Sequence, residues 1–280
     1  MELEDAFSDI IGKARFGIGM TRSDVAASAG LSADRVAALE GGQKPTSEEI
    51  LALAVPLGLD GGKLADIVMR RWTPDAVCDE AVCQAVRRID GRIGDYPVNG
   101  YLFIDSTTHL AALFDTATRP DLVLAALKKA EATLAAICIT HAHADHIGGV
   151  ETIHAATGAP IYIHPREQED LPGRVPIAMG RNLSIGRFLI RPLMTPGHTP
   201  GGVSFFVDLG NQAIAFVGDA LFAGSLGRAA SAASYETLRT SVRRELLGLA
   251  GETILFPGHG PATTVDQERR HNPFFRGRAL

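Results

Sequence analysis

The chain has 280 residues, 46% of them hydrophobic and 21% charged, with a net charge of -5. This is the composition of a globular protein with a sizeable core, which excludes a disordered chain, and the acidic balance offers no general attraction to nucleic acid or anionic lipid. The acidic start MELEDAFSDI is followed by no long apolar run, which predicts neither signal peptide nor membrane helix and a cytoplasmic location.

Residues 1–72 read as several short helices. Thr21 with Asp24 forms a capping box and Gly30 ends that helix. Ser32 caps ADRVAALE, which stops at Gly41-Gly42, and Thr46 with Glu49 opens SEEILALAVPLG. The segment RWTPDAVCDEAV contains Pro74 and serves as a linker, placed at residues 73–83. From residue 84 to 280 the pattern is α/β. The β-rich runs YLFID, AAICIT, IYIH, FLIRPL, VSFFVD and AIAFVGD alternate with helical segments such as PDLVLAALKKAEATL. Cys78, Cys83 and Cys138 form neither a CxxC pair nor an even framework, and all three are expected to be packing residues in a reducing compartment.

The stretch THAHADHIGG places His141, His143, Asp145 and His146 at the end of the apolar run AAICIT. Neutral imidazole and carboxylate are the donors that borderline divalent ions take, and a strand end aims a loop rigidly. His141 and His143 can point to one side and Asp145 with His146 to a neighbouring point, which calls for two ions. Downstream, His198 lies in the turn TPGHTPGG, Asp219 at the tip of FVGDA and His259 in the turn PGHG. Five of the nine histidines thus stand at strand ends beside two aspartates. Alone, each would be an ordinary core or surface residue, but together they form a metal constellation. His109, His154, His164 and His271 fall outside the pattern.

HAHADH, PGHTPG, GD and PGHG in this order resemble the metallo-β-lactamase superfamily over about residues 84 to 275. The resemblance implies an αβ/βα sandwich with a metal site at one edge of two packed sheets. It also implies that His141, His143 and His198 hold one ion, that Asp145, His146 and His259 hold a second, and that Asp219 bridges them. Two divalent ions are expected, Zn2+ first and Fe or Mn as alternatives, with Asp145 and Asp219 as the catalytic carboxylates. Such a pair about 3.5 to 4 Å apart lowers the pKa of a bridging water, so that hydroxide is the nucleophile, and polarises the bond to be cut.

The segment GDALFAGSLGR, with FPGHGPATT and ERRHNPFF, resembles the glyoxalase II group, the hydroxyacylglutathione hydrolases. The implied substrate is a small thioester, whose thiolate leaves without a general acid because a thiol has a pKa of about 8.5. Where that group commonly carries Thr-Asp after Gly-Arg, this chain has Ala229-Ala230 and the run SAAS. Arg228 and the C-terminal Arg269, Arg270, Arg276 and Arg278 could meet a substrate carboxylate, although surface arginines are ordinarily only solvated. The bridging Asp219 argues against β-lactam opening and His259 against a single-iron persulfide dioxygenase. Lactone, other ester and phosphodiester hydrolysis on the same fold stay open.

The stretch from Met20 to Leu59 resembles the phage-repressor-like helix-turn-helix family through Ala26, Gly30, Val36, Glu40, Gly42 and Pro45, implying a small all-α N-terminal domain. Its recognition helix, from Ser32, offers one arginine, Arg35, beside Asp34 and Glu40. Residues 1–72 carry eight Lys and Arg against eleven Asp and Glu. DNA contact needs cations, so the alternative of a DNA-binding regulator that senses a metabolite is set below an enzyme with a packing module. A helical domain of this size has a small core, which predicts a homo-oligomer with residues 1–72 in contact.

Overall fold

The computed structural model describes residues 2–75, 80–178 and 180–277. Five helices come first: α1 (Phe7–Gly17), α2 (Arg22–Ala29), α3 (Ala33–Glu40), α4 (Ser47–Ala54) and α5 (Gly61–Val68). Their ends carry the caps read from the sequence. Thr21 Oγ1 accepts from Asp24 N, Ser32 Oγ from Arg35 N and Thr46 Oγ1 from Glu49 N, while Gly30 closes α2 in the left-handed region at φ 67°.

After α6 (Glu80–Ala85), the first sheet is built from β1 (Val86–Ile93), β2 (Tyr96–Asp105), β3 (Leu110–Phe114), α7 (Pro120–Lys129), β4 (Thr133–Cys138), α8 (Ala144–Ile147), α9 (Val150–Thr157), β5 (Ile161–Ile163) and β6 (Arg174–Pro176). The second follows from β7 (Leu183–Ile185), β8 (Phe188–Met194), β9 (Val203–Asp208) and β10 (Ala213–Gly218). A hairpin of β11 (Leu221–Phe222) and β12 (Ser225–Leu226) precedes α10 (Ala232–Ser241), and β13 (Ile254–Pro257), β14 (Thr263–Thr264) and α11 (Val265–His271) close the chain. The sheets have strand orders β1-β2-β3-β4-β5-β6 and β14-β13-β10-β9-β8-β7.

Side-chain alternation along the strands builds three cores. In β3, Ala112 and Phe114 face the second sheet, whereas Ala111 and Leu113 face α7 and α9. In β10, Ile214 and Phe216 face the first sheet, where Phe216 stacks on Phe114 at 3.8 Å, while Ala215 and Val217 face the other way. The result is a mixed α/β sandwich of two sheets between helical layers.

The layer on the second sheet is shared. Phe7, Ile10, Ile11 and Ala14 of α1 are buried in one continuous core with Tyr235 and Leu238 of α10, Leu255 of β13 and Phe274. Arg276 donates to the carbonyls of Leu59 and Ala54, and Lys63 to those of Arg269 and Phe275. The burial that motivated an oligomer through residues 1–72 is therefore supplied within the chain.

Several local expectations change. β1 and the start of β2 pair as a hairpin although only YLFID reads as a strand, because VRRIDGRI is a mostly exposed edge with few apolar side chains. The helical reading of PDLVLAALKKAEATL ends early: Glu131 adopts φ 50°, and Thr133 and Leu134 enter β4. Within the linker range, α6 begins at Glu80. The run SAAS is the start of α10, with Ser231 as its cap. Cys83 is disulfide-bonded, which corrects its reading as a packing residue, whereas Cys138 is a buried free thiol. Cys78 and Arg278 lie outside the described residues.

Candidate metal centre

All seven side chains singled out in the sequence converge at one edge of the sandwich. β4 delivers His141 and His143, and the single turn of α8 carries Asp145 and His146. The β8–β9 loop brings His198, while the parallel pair β10 and β13 delivers Asp219 and His259 beyond their ends. Gly258 is required by close approach: a Cβ there would lie 2.4 Å from Asp219 Oδ1 and 2.6 Å from His146 Cε1.

Four of the five imidazoles, all but His143, are oriented by their other nitrogen. His198 Nδ1 donates to Arg228 O at 2.7 Å and His259 Nδ1 to Pro97 O at 2.6 Å, so both leave Nε2 bare toward the centre. Thr140 Oγ1 gives its proton to Asp115 Oδ2 at 2.7 Å and accepts from His141 Nδ1 at 3.0 Å, which fixes the same tautomer in His141. These assignments follow from the hydrogen-bond network.

The bare nitrogens face one another. His141 Nε2 and His198 Nε2 each lie 3.0 Å from His143 Nδ1. A single N–H on His143 Nδ1 can point squarely at only one of these two nitrogens, so at least one pair of lone pairs faces another unless a cation lies between them. The spacing is close to the edge of about 3.3 Å in a tetrahedron with bonds of about 2.0 Å. A second group gathers around Asp145 Oδ2, with His259 Nε2 at 3.3 Å and His146 Nε2 at 3.7 Å. Asp219 spans the two, its Oδ1 3.3 Å from His146 Nε2 and its Oδ2 3.5 Å from His198 Nε2 and 3.6 Å from His259 Nε2.

Buried polar atoms ordinarily find partners. His146 Nε2 and Asp219 Oδ1 are buried without a hydrogen bond, which is the environment expected of metal donors. Electrostatics agree. Burial, aided by His146, holds the His141 imidazole well below its ordinary pKa, so it offers a lone pair. Burial would raise the Asp219 carboxyl, but His146 and the other imidazoles outweigh it and keep it ionised. Burial likewise opposes charge on His146, yet Asp219 and Asp115 push it well above the ordinary value, so the site attracts positive charge. The residues present therefore fit two divalent ions, in the groupings His141, His143, His198 and Asp145, His146, His259, with Asp219 between.

Two carboxylates of this centre escaped the sequence reading. Asp115 accepts from His146 Nδ1 at 2.8 Å and from Thr140 N at 2.8 Å. Its only sequence signal is its place at the end of the apolar run AALFD. Glu167, buried, accepts from Ala142 N at 2.9 Å and Gly201 N at 2.8 Å, and so ties the His141–His143 loop to the His198 loop. Of the C-terminal arginines, Arg269 and Arg276 are spent on backbone carbonyls. Arg228 touches the centre through its backbone carbonyl, which meets His198.

The sequence profile of the metallo-beta-lactamase superfamily matches residues 93–259, spanning all seven candidate metal donors. The chain belongs to the metallo-β-lactamase superfamily. Within it, the chain is 33% identical to the probable metallo-hydrolase YqgX of Bacillus subtilis, over 67% of this chain and 97% of that protein. It is 30% identical to the hydroxyacylglutathione hydrolase GloC of Haemophilus influenzae, over 60% and 89%. It is also similar to the crystal structure of the BLEG-1 B3 metallo-beta-lactamase, with 32% identity and a TM-score of 0.60 over 68% of this chain and all of that one. A hydrolase fold that takes divalent metal is thus the setting for the centre.

Proposed function

We propose that the chain is a dinuclear metal-dependent hydrolase of small thioesters of the hydroxyacylglutathione type. His141, His143 and His198 hold one ion, Asp145, His146 and His259 the other, and Asp219 bridges them. The observation that carries the reading is Asp219, whose two oxygens face imidazole nitrogens of both groups. The similarity to the Haemophilus enzyme supports the thioester. When bound, the ions, Zn2+ by preference and Fe or Mn otherwise, supply a water of lowered pKa and a Lewis acid for the acyl oxygen.

The protein's own part is to aim and to exclude. The carbonyls of Arg228 and Pro97, with Thr140 and Asp115, hold four imidazoles in the tautomer that presents Nε2. His143 is exposed while His141 and His146 are buried, so substrate arrives from the His143 side. A departing thiolate needs no proton from the protein at neutral pH.

The helical module serves packing rather than DNA reading. Arg35, the one arginine of the recognition-like helix, is engaged by Glu49 at 2.7 and 2.8 Å, by Gln43 at 2.8 Å and by Lys44 O at 3.0 Å. Four of its five N–H directions are thereby taken up within the module.

The test is a substrate panel with metal-loaded protein: S-lactoylglutathione, a lactone, a phosphodiester and a β-lactam. The thioester ultraviolet band is expected to disappear with the highest kcat/KM of the four. An inert thioester beside rapid opening of the lactone or the β-lactam would replace the substrate class.

A further inference from the structure

The superfamily profile begins at residue 93 and assigns nothing to α1, α2 and α3. These helices wall a cleft of about 270 Å³, lined by Lys13, Arg15, Phe16, Arg22 and Glu40 and, from the hydrolase, Arg228. That volume approaches the lower end of small-molecule sites, about 300 Å³.

One strip of chain separates the cleft from the metal centre. Arg228 gives its carbonyl to His198 while its side chain lines the cleft. Lys13 Nζ donates to Leu226 O at 2.9 Å and lies 4.8 Å above the Phe222 ring, which meets the His259 ring edge-on at 5.7 Å. A Cβ at Gly227 would fall 1.8 Å from Asp219 O, so this strip is pressed against the bridging residue.

The cations of the cleft are not all spent. Glu40 is saturated by Arg15 and by Arg22, whose Nε lies 2.7 Å from Oε2. Asp9 is turned back to cap Ala6 N at 3.0 Å, and Lys13 is paired with Asp5 at 2.5 Å. What stays uncommitted is the exposed Arg228 guanidinium, which has no ion pair or side-chain hydrogen bond among the described residues, and the amino groups of Arg22, whose side chain is 52% exposed. Arg22 stands at the first position of α2, where the helix dipole disfavours a cation. Its ion pair with Glu40 offsets that cost through Nε alone.

We propose that this cleft binds a carboxylate-bearing arm of the substrate through Arg228 and Arg22, against the Phe16 ring, with the helical module acting as the specificity element of the hydrolase. Guanidinium groups suit a carboxylate because they offer two parallel donors in one plane. The scissile bond then lies at the metal centre, and only that placement rests on the hydrolase reading. The anion site rests on the cleft alone.

The test uses S-methylglutathione and its dimethyl ester, which differ only in their carboxylates and contain no thioester, with binding to the full-length protein followed by calorimetry and mass spectrometry confirming that the ester stays intact. The free acid is expected to bind roughly tenfold tighter at low salt, the preference shrinking as salt rises. Arg228→Gln and Arg22→Gln are each expected to cut the preference roughly three- to tenfold, and Arg228→Lys to restore part of it. Both side chains are exposed, and circular dichroism checks that the variants fold. Equal binding of acid and ester, or a preference unchanged in both Gln variants, overturns the proposal. A carboxylate preference in a protein inert toward thioesters keeps the cleft and removes the function reading, whereas thioester turnover without the preference does the reverse.

Discussion

His146 Nδ1 donates to Asp115 Oδ2 at 2.8 Å, and the same oxygen accepts from Thr140 Oγ1 at 2.7 Å. One buried carboxylate thereby fixes the imidazole of the second donor group and, through Thr140, that of His141 in the first. Partners behind a ligand histidine are commonly worth 10- to 100-fold in metal affinity. Asp115→Asn keeps the shape but offers one acceptor where three hydrogens point. It is expected to weaken binding of the second ion by about that factor, read by chelator competition, with kcat falling in step at limiting metal. Unchanged metal affinity would remove Asp115 from the centre.

Glu167 holds two backbone amides from separate loops, Ala142 N and Gly201 N. Replacing a carboxylate that satisfies buried donors leaves those donors unpaired, at about 1–3 kcal/mol each. Glu167→Ala is therefore expected to lower the unfolding free energy by a few kcal/mol in urea titrations and to loosen the site that joins His141, His143 and His198. A stability within about 0.5 kcal/mol of the parent would show that the loops do not depend on this clamp.

The convergence of seven candidate ligand side chains was legible because imidazole and carboxylate recur in Gly- and Pro-rich turns directly after apolar strands, a pattern that survives without knowing the pairing of the strands. Asp115 and Glu167 were not legible, because a residue that acts behind a ligand carries no spacing of its own: HPREQED holds three acids, and only the fold selects Glu167. β1 was missed for a related reason. Its residues alternate Arg, Ile, Asp and Gly along an exposed edge, so the apolar signal that marks a buried strand is faint. The helical grammar of residues 1–72 was readable from its caps, but its packing onto α10 and β13 was not, since α1 presents its apolar stripe to partners more than 180 residues away.

Glu268 gives a pH prediction remote from the metal donors. It is completely buried beneath the β11–β12 hairpin, accepts from Gly224 N, Thr263 Oγ1 and Asn272 Nδ2, and burial raises its pKa to about 7 against those hydrogen bonds. Its unfolded value is near 4.5. Between these values the folded chain retains a proton that the unfolded chain has lost, so stability is full below about 4.5 and falls as pH rises through about 7. Glu268→Gln, a stand-in for the protonated side chain, should flatten that fall. The difference in Tm between pH 5 and pH 8 is expected to shrink by several degrees relative to the parent. An equal pH dependence in both proteins would mean that Glu268 is ionised in the fold at all pH values tested.

Asp219 is the residue on which a dinuclear reading turns, because it is the side chain that meets both donor groups. Asp219→Ala is expected to cost at least 100-fold in kcat with a near-parental circular dichroism spectrum, since one of two bridging contacts and a balancing charge are lost together. Turnover close to the parent with metal retained would reassign Asp219 to a structural role.

The central claim is two ions acting together on a thioester, and the most direct measurement is turnover of S-lactoylglutathione by metal-stripped protein as Zn2+ is added stoichiometrically, for the parent and for His259→Ala. The parent is expected to gain activity until two equivalents are bound, and the variant to bind one equivalent tightly with activity remaining below a hundredth of the parental rate. Parental activity that is complete at one equivalent, with His259→Ala matching it, would contradict the account.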